Sequence, residues 1–169
     1  LIAGYALLGA GWLIIKTQGD LQRRMRQLGR WAFLATLVGI GAVSIWTPLM
    51  DHDIAQRWFS TPNIYFLWIV PIVTALIAFV EWRALNVYRE FLPFLAALAL
   101  FVMSYIGIAV SLWPMIVPHR YSLWDAASAA PTQEFLLLGT LFLLPVILAY
   151  TAWSYWVFRG KVRADIGYH

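Results

Sequence analysis

Five stretches of this 169-residue chain are apolar over lengths that a water-facing helix does not sustain, and short basic clusters punctuate them. The stretches run from about Leu1 to Ile15, Trp31 to Leu49, Ile64 to Val80, Phe91 to Trp113 and Phe135 to Phe158. A helix needs ~20 apolar residues to cross the ~30 Å hydrocarbon layer. Four stretches meet or approach that length, and the first reads as a span shortened at its start. Backbone amides in lipid must be satisfied within the chain, so each stretch is expected to be a helix. Composition agrees: 62% of residues are apolar and 12% are charged, against about 25% charged in soluble domains. The expected fold is an all-α polytopic transmembrane bundle of five spans, forming one membrane domain. The chain begins Leu1-Ile2-Ala3-Gly4, already inside an apolar run, and reads as part of a longer protein.

Charge sets the expected orientation. Lys16, Arg23, Arg24, Arg26 and Arg30 follow span one; Arg83 and Arg89 separate spans three and four; Arg159, Lys161 and Arg163 follow span five. Only Arg57 and Arg120 fall on the other side. The positive-inside rule places the first three groups and the C-terminus in the cytoplasm, and loops 50–63 and 114–134 outside. Trp12, Trp31, Trp82 and Trp156 near inner ends, and Trp46 and Trp113 near outer ends, fit aromatic belts. The net charge of +4 arises from these clusters, so it reads as a topology signal and not as a nucleic-acid surface. Thr17 and Asp20 have capping-box spacing, with Asp in place of Glu or Gln. With Leu21, Met25 and Leu28 at helical intervals, they predict a short basic helix on the inner membrane surface, leading into span two.

The chemistry-bearing residue types are sparse inside the spans. The absence of Cys rules out disulfides, thiolate metal sites and covalent haem attachment within this chain. Haem-holding membrane helices usually supply His, but His52, His119 and His169 all lie outside the spans. Met103 is the one Met deep in a span and reads as packing. Glu81, Glu90 and Glu134 are placed at span ends, leaving no charge near a span middle. Hydroxyls such as Thr36, Ser44, Thr74, Ser104 and Thr140 are expected to bond helix backbone. Pro71 and Pro145 predict kinks. Gly4, Gly9, Gly11, Gly39, Gly41 and Gly107 predict close helix approach. Asp51-His52-Asp53 reads as a solvated outer loop, not a metal site. Soluble hydrolase and nucleotide motifs are missing. These residues describe a scaffold or partner subunit. A fragment of a secondary transporter and a membrane anchor are the competing classes.

The run Gly9-Ala10-Gly11-Trp12-Leu13-Ile14-Ile15-Lys16-Thr17-Gln18-Gly19-Asp20-Leu21-Gln22 resembles a signature of subunit II of the cytochrome bd-type quinol oxidases and their cyanide-insensitive relatives. Leu123-Trp124-Asp125-Ala126-Ala127-Ser128, Leu144-Pro145 with Tyr150-Thr151, and Phe158-Arg159-Gly160-Lys161-Val162 are similar to the same family. The resemblance implies the C-terminal half of a multi-pass subunit of the bacterial inner membrane: a four-helix bundle plus one peripheral helix. It implies a partner, subunit I, that holds the b-type and d-type haems, oxidises quinol and reduces dioxygen to water while building a proton gradient. A small accessory subunit and membrane lipid are further implied partners; nucleic acid is not. The resemblance implies that the family's proton- and oxygen-access acids lie mainly in the N-terminal half, and none is carried onto this sequence, so no catalytic, cofactor-binding or metal residue is assigned. Trp124 and Asp125 are expected to shape the outer loop or its contact with subunit I.

Overall fold

The computed structural model describes residues 1–87 and 89–162; Arg163 and His169 lie outside the described residues. The apolar stretches form helices, and two further short helices lie between them: α1 (Ile2–Lys16), α2 (Gly19–Met50), α3 (His52–Phe59), α4 (Asn63–Leu67), α5 (Ile69–Asn86), α6 (Leu92–Leu112) and α7 (Ala130–Val157). Two short strands, β1 (Met115–Val117) and β2 (Tyr121–Ser122), pair antiparallel. Four helical segments, Gly19–Met50, Asn63–Asn86, Leu92–Leu112 and Ala130–Val157, are long and apolar enough to cross a membrane, and Ile2–Lys16 is a shorter apolar helix. The protein is thus all-α and multi-pass.

The chain divides into two compact units. The first comprises Leu1–Trp113 with Lys161 and Val162. In it, α1 packs on α2 and α6, and α5 packs on α6 and α2, giving a bundle of four apolar helices. Each helix contributes residues at three- and four-residue intervals. These are Gly4, Leu7, Ala10, Gly11 and Ile14 from α1; Arg26, Gly29 and Phe33 from α2; Glu81, Ala84 and Leu85 from α5; and Pro93, Ala96, Ala97 and Leu100 from α6. In lipid, apolar burial alone does not drive helices together, and small residues that let backbones approach take over that role. Gly11 shows this directly: an added Cβ would lie 3.0 Å from the Phe94 Cα.

All these positions lie toward one end of the unit, where the basic residues collect. Toward the other end the helices expose Val38, Val43, Ile72, Leu76, Val102 and Ile106. Gly9, Gly39 and Gly41 meet nothing within 4 Å, so of the six glycines expected at close approaches only Gly4 and Gly11 stand in tight ones. The expected surface helix is likewise corrected: Gly19–Met50 is one helix of 32 residues. At ~1.5 Å per residue it is about 48 Å long, more than a membrane core requires. Its first turns carry the basic residues beyond the apolar stretch. Thr17 does not cap it; the Thr17 hydroxyl donates back to the Leu13 carbonyl (2.7 Å) and closes α1.

Helix α5 starts at Ile69, just ahead of Pro71. The proline ring has no N–H, so the Leu67 carbonyl loses its helical donor, and α4 ends there. The hydroxyls of Thr36, Thr74 and Ser104 each donate to the carbonyl four residues earlier at 2.8 Å, as expected of hydroxyls in apolar helices.

The second unit, Pro114–Gly160, contains the β1–β2 hairpin and α7. Pro131 stands in the first turn of α7, where its missing N–H costs nothing, and Pro145 lies inside the helix. Helix α7 has no buried residue. The Trp153 and Trp156 rings meet in a tilted pair with centroids 5.4 Å apart, and the Arg159 guanidinium lies 4.6 Å from the Trp156 ring.

Candidate functional site

Helix ends leave carbonyls without donors, and apolar surroundings make that costly. At the basic end of the first unit, side chains from α2 supply those donors. Gln22, in the first turns of α2, donates through Nε2 to the carbonyls of Ile14 (2.8 Å) and Thr17 (3.1 Å), at the end of α1. Four residues on, and so on the same helical face, Arg26 is only 4% exposed. It donates to the Ala84 carbonyl (3.4 Å) in α5 and to the Arg89 carbonyl (2.8 Å) beyond it. Arg26 therefore caps α5 from another helix. It is not the exposed topology anchor that its position in a basic cluster suggests.

Glu90, in the α5–α6 connection, ties this layer together. It accepts from Gln22 Nε2 (3.4 Å) and from Lys161 Nζ. The adjacent Val162 N–H donates to the Lys16 carbonyl at 2.8 Å. The Lys161 hydrogen bond, helped by Gln22 and by the positive charges of Lys161 and Arg26, holds the Glu90 carboxyl below the usual carboxylate range. Two of the segments that carry the family resemblance, Lys16–Gln22 and Lys161–Val162, thus meet in one polar layer. At its edge, Lys16 Nζ lies 4.9 Å from the Trp12 ring.

Glu81 stands apart from this network. Its sequence position suggests a span end, but α5 continues to Asn86 and the Glu81 side chain is 0% exposed. Neither carboxyl oxygen has a hydrogen-bond partner. The signal is present in the spacing: Ile77, Ala78, Glu81, Ala84 and Leu85 form one helical stripe that faces the core. The stripe continues past the apolar run, and Glu81 occupies a core position in it.

At the opposite end of the same unit, Asp51 accepts from the N–H groups of Asp53 (3.0 Å) and Ile54 (3.4 Å) and caps α3. The segment read as a solvated loop therefore starts a helix. Arg57 donates to the carbonyls of Val110 (3.4 Å) and Trp113, capping α6 as Arg26 caps α5. Trp58 Nε1 donates to Ser111 Oγ at 3.0 Å. An open hollow of about 830 Å³ lies here, lined by Asp53, Gln56, Arg57, Ser60, Asn63 and Trp113 among others. His52 is exposed and lies 3.1 Å from Gln56.

In the second unit, Asp125 accepts from the Ser122 N–H (3.1 Å) and from the Ser122 hydroxyl, and its own N–H donates back to that hydroxyl (3.2 Å). The Ser122 side-chain and backbone bonds lower its carboxyl below the usual range. His119, at positive φ, sits in the turn between β1 and β2. Leu144, Pro145, Tyr150 and Thr151 are exposed on α7.

Comparison with known proteins gives one consistent answer. Residues 1–158 match the family described as cytochrome bd terminal oxidase subunit II. The chain is 25% identical, over 93% of its length, to cytochrome bd-I ubiquinol oxidase subunit 2 of Escherichia coli (strain K12), covering 49% of that protein. It is also 25% identical to a probable cytochrome oxidase subunit 2 of Haemophilus influenzae, again over 93% of this chain and 49% of the relative. The chain spans about half the length of the curated relatives it matches.

Proposed function

The chain belongs to the cytochrome bd terminal oxidase subunit II family, and on that premise we propose that it is a haem-free scaffold for a quinol-oxidising, dioxygen-reducing complex. In this reading subunit I holds the b-type and d-type haems, passes electrons from quinol to dioxygen, and forms water while a proton gradient builds. Subunit II supplies helical surface and structural support. It lies in the inner membrane with its basic end and C-terminus in the cytoplasm, as the asymmetry of Lys and Arg favours.

The observation that carries this reading is the donor set. An axial haem ligand is normally an imidazole or thioether projected from a membrane helix. No His occurs in α1, α2, α5, α6 or α7. His52 opens α3, where it is exposed, and His119 belongs to a hairpin turn. Met103 has no imidazole on the four packed helices to complete a ligand pair. These residues do not fit a haem. The polar side chains at both ends of the bundle are instead engaged in closing helices. The exposed apolar flanks of α2, α5 and α6 are suited to lipid and to a helical partner subunit.

The test is purification of the full-length subunit in mild detergent, followed by a reduced-minus-oxidised spectrum. Co-purification of a second subunit with b- and d-type bands is the expected result. A stable, homogeneous subunit that never carries a partner or haem bands would contradict the proposal.

A further inference from the structure

Glu81 is the one ionisable group of the first unit that is enclosed in the helical core with neither carboxyl oxygen bonded, among the described residues. An ionised carboxylate placed there would lack both counter-ion and donor, which is the costliest arrangement an apolar interior can hold. Intramembrane acids are rare and mark functional sites, proton relays prominent among them. We propose that Glu81 is a proton-binding site, which holds its proton in the resting subunit and exchanges it with the aqueous phase at the basic end.

The surroundings favour that route. On α5 itself Arg83 is exposed. From α2, Arg30 is exposed and Arg26 is buried, with its guanidinium on the Ala84 and Arg89 carbonyls. Helix α6 carries no acid, base or His; its Tyr105 is exposed. Helix α1 contributes Lys16 at its very end and the exposed Tyr5. The Phe33–Trp82 ring pair and Leu85 wall the adjacent core. Asn86 ends α5 five residues after Glu81, about 7.5 Å along the axis. The polar layer of Gln22, Arg26 and Glu90 is therefore the nearest hydrophilic region. In the exchange step the Glu81 O–H bond breaks, the proton passes to water at that layer, and a carboxylate remains until another proton returns. No electrons move. The step does not depend on where the haems of the complex reside.

Infrared spectroscopy of the full-length subunit in its native complex tests this. A carboxylic-acid C=O band that moves to lower frequency in D2O, is lost in Glu81→Gln and persists in Glu90→Gln is the expected result. In Glu81→Asp the band should move without vanishing, which keeps the test readable if the Gln variant assembles poorly. The proposal is overturned if that band survives Glu81→Gln, or is unaltered by Glu81→Asp. A band assigned to Glu81 that does not respond to D2O overturns the exchange. Haem content measured on the same samples reports on the scaffold reading independently.

Discussion

Gln22 and Arg26 illustrate how a basic cluster divides its labour. Arg23 and Arg24 are exposed, with Arg23 4.0 Å from Asp20 in a surface pair. Such pairs contribute little, ~0–1 kcal/mol. Arg26 is buried on two carbonyls, and leaving a buried polar group unpaired costs about 1–3 kcal/mol. Arg26→Ala should therefore lower the thermal unfolding midpoint of the detergent-solubilised subunit markedly, whereas Arg24→Ala should leave it nearly unchanged. Equal midpoints for the two variants would show that Arg26 is not a cap. Sequence separates them only once the helix of span two is extended back through the basic segment, which puts Arg26 in register with Gly29 and Phe33.

Glu90 carries a pH signature at the same scale. Its folded-state carboxyl is depressed, chiefly by Lys161. A depressed acid adds stability above its unfolded value, about 4.3, and that contribution disappears as pH falls through the folded value. Unfolding midpoints measured from neutral pH downward should fall in that acid range, and the fall should be shallower in Glu90→Gln. Parallel curves for both proteins would show that Glu90 makes no such contribution.

Among the elements, α1 and α6 come close enough at Gly11 that the backbone of Phe94 lies beside it. Gly11→Ala places a methyl group 3.0 Å from the Phe94 Cα, which is backbone and cannot swing aside. Overpacking of this kind costs ~1–3 kcal/mol. Gly39→Ala meets open space and removes a poor helix former, a gain of up to about 1 kcal/mol. The two variants should shift the unfolding midpoint in opposite directions. The existence of the helices is legible from apolar run length, because lipid admits few alternatives. Their ends are not. Helix α2 absorbs the basic segment because Gly19, at φ +64, turns the chain and nothing afterwards interrupts the helix. Helix α3 hides in a polar loop that periodicity alone marks poorly, and its start is fixed by the Asp51 side chain. The core position of Glu81 is readable from the spacing of Ile77, Ala78, Ala84 and Leu85, but its charge argues for a span end and masks that pattern.

For the molecule as a whole, the family match runs over residues 1–158, and two segments singled out in the sequence share one structural duty. Lys16–Gln22 and Lys161–Val162 converge on one polar layer that closes helix ends. The topology makes a separate prediction. These 169 residues contain no Cys, so Arg24→Cys and Arg120→Cys each add a single thiol to this segment and can report one side of the membrane against the unsubstituted protein as control. Arg24→Cys should react with a membrane-impermeant thiol reagent only after the cells are opened, and Arg120→Cys in intact spheroplasts. The reverse pattern would invert the orientation.

Above all, this subunit is proposed to support redox chemistry without holding haem. That stands or falls on the haem-to-protein ratio of the full-length, membrane-inserted subunit produced without subunit I in haem-replete cells. A ratio near zero is expected, with haem recovered when subunit I is co-produced. Stoichiometric haem on the subunit alone would contradict it.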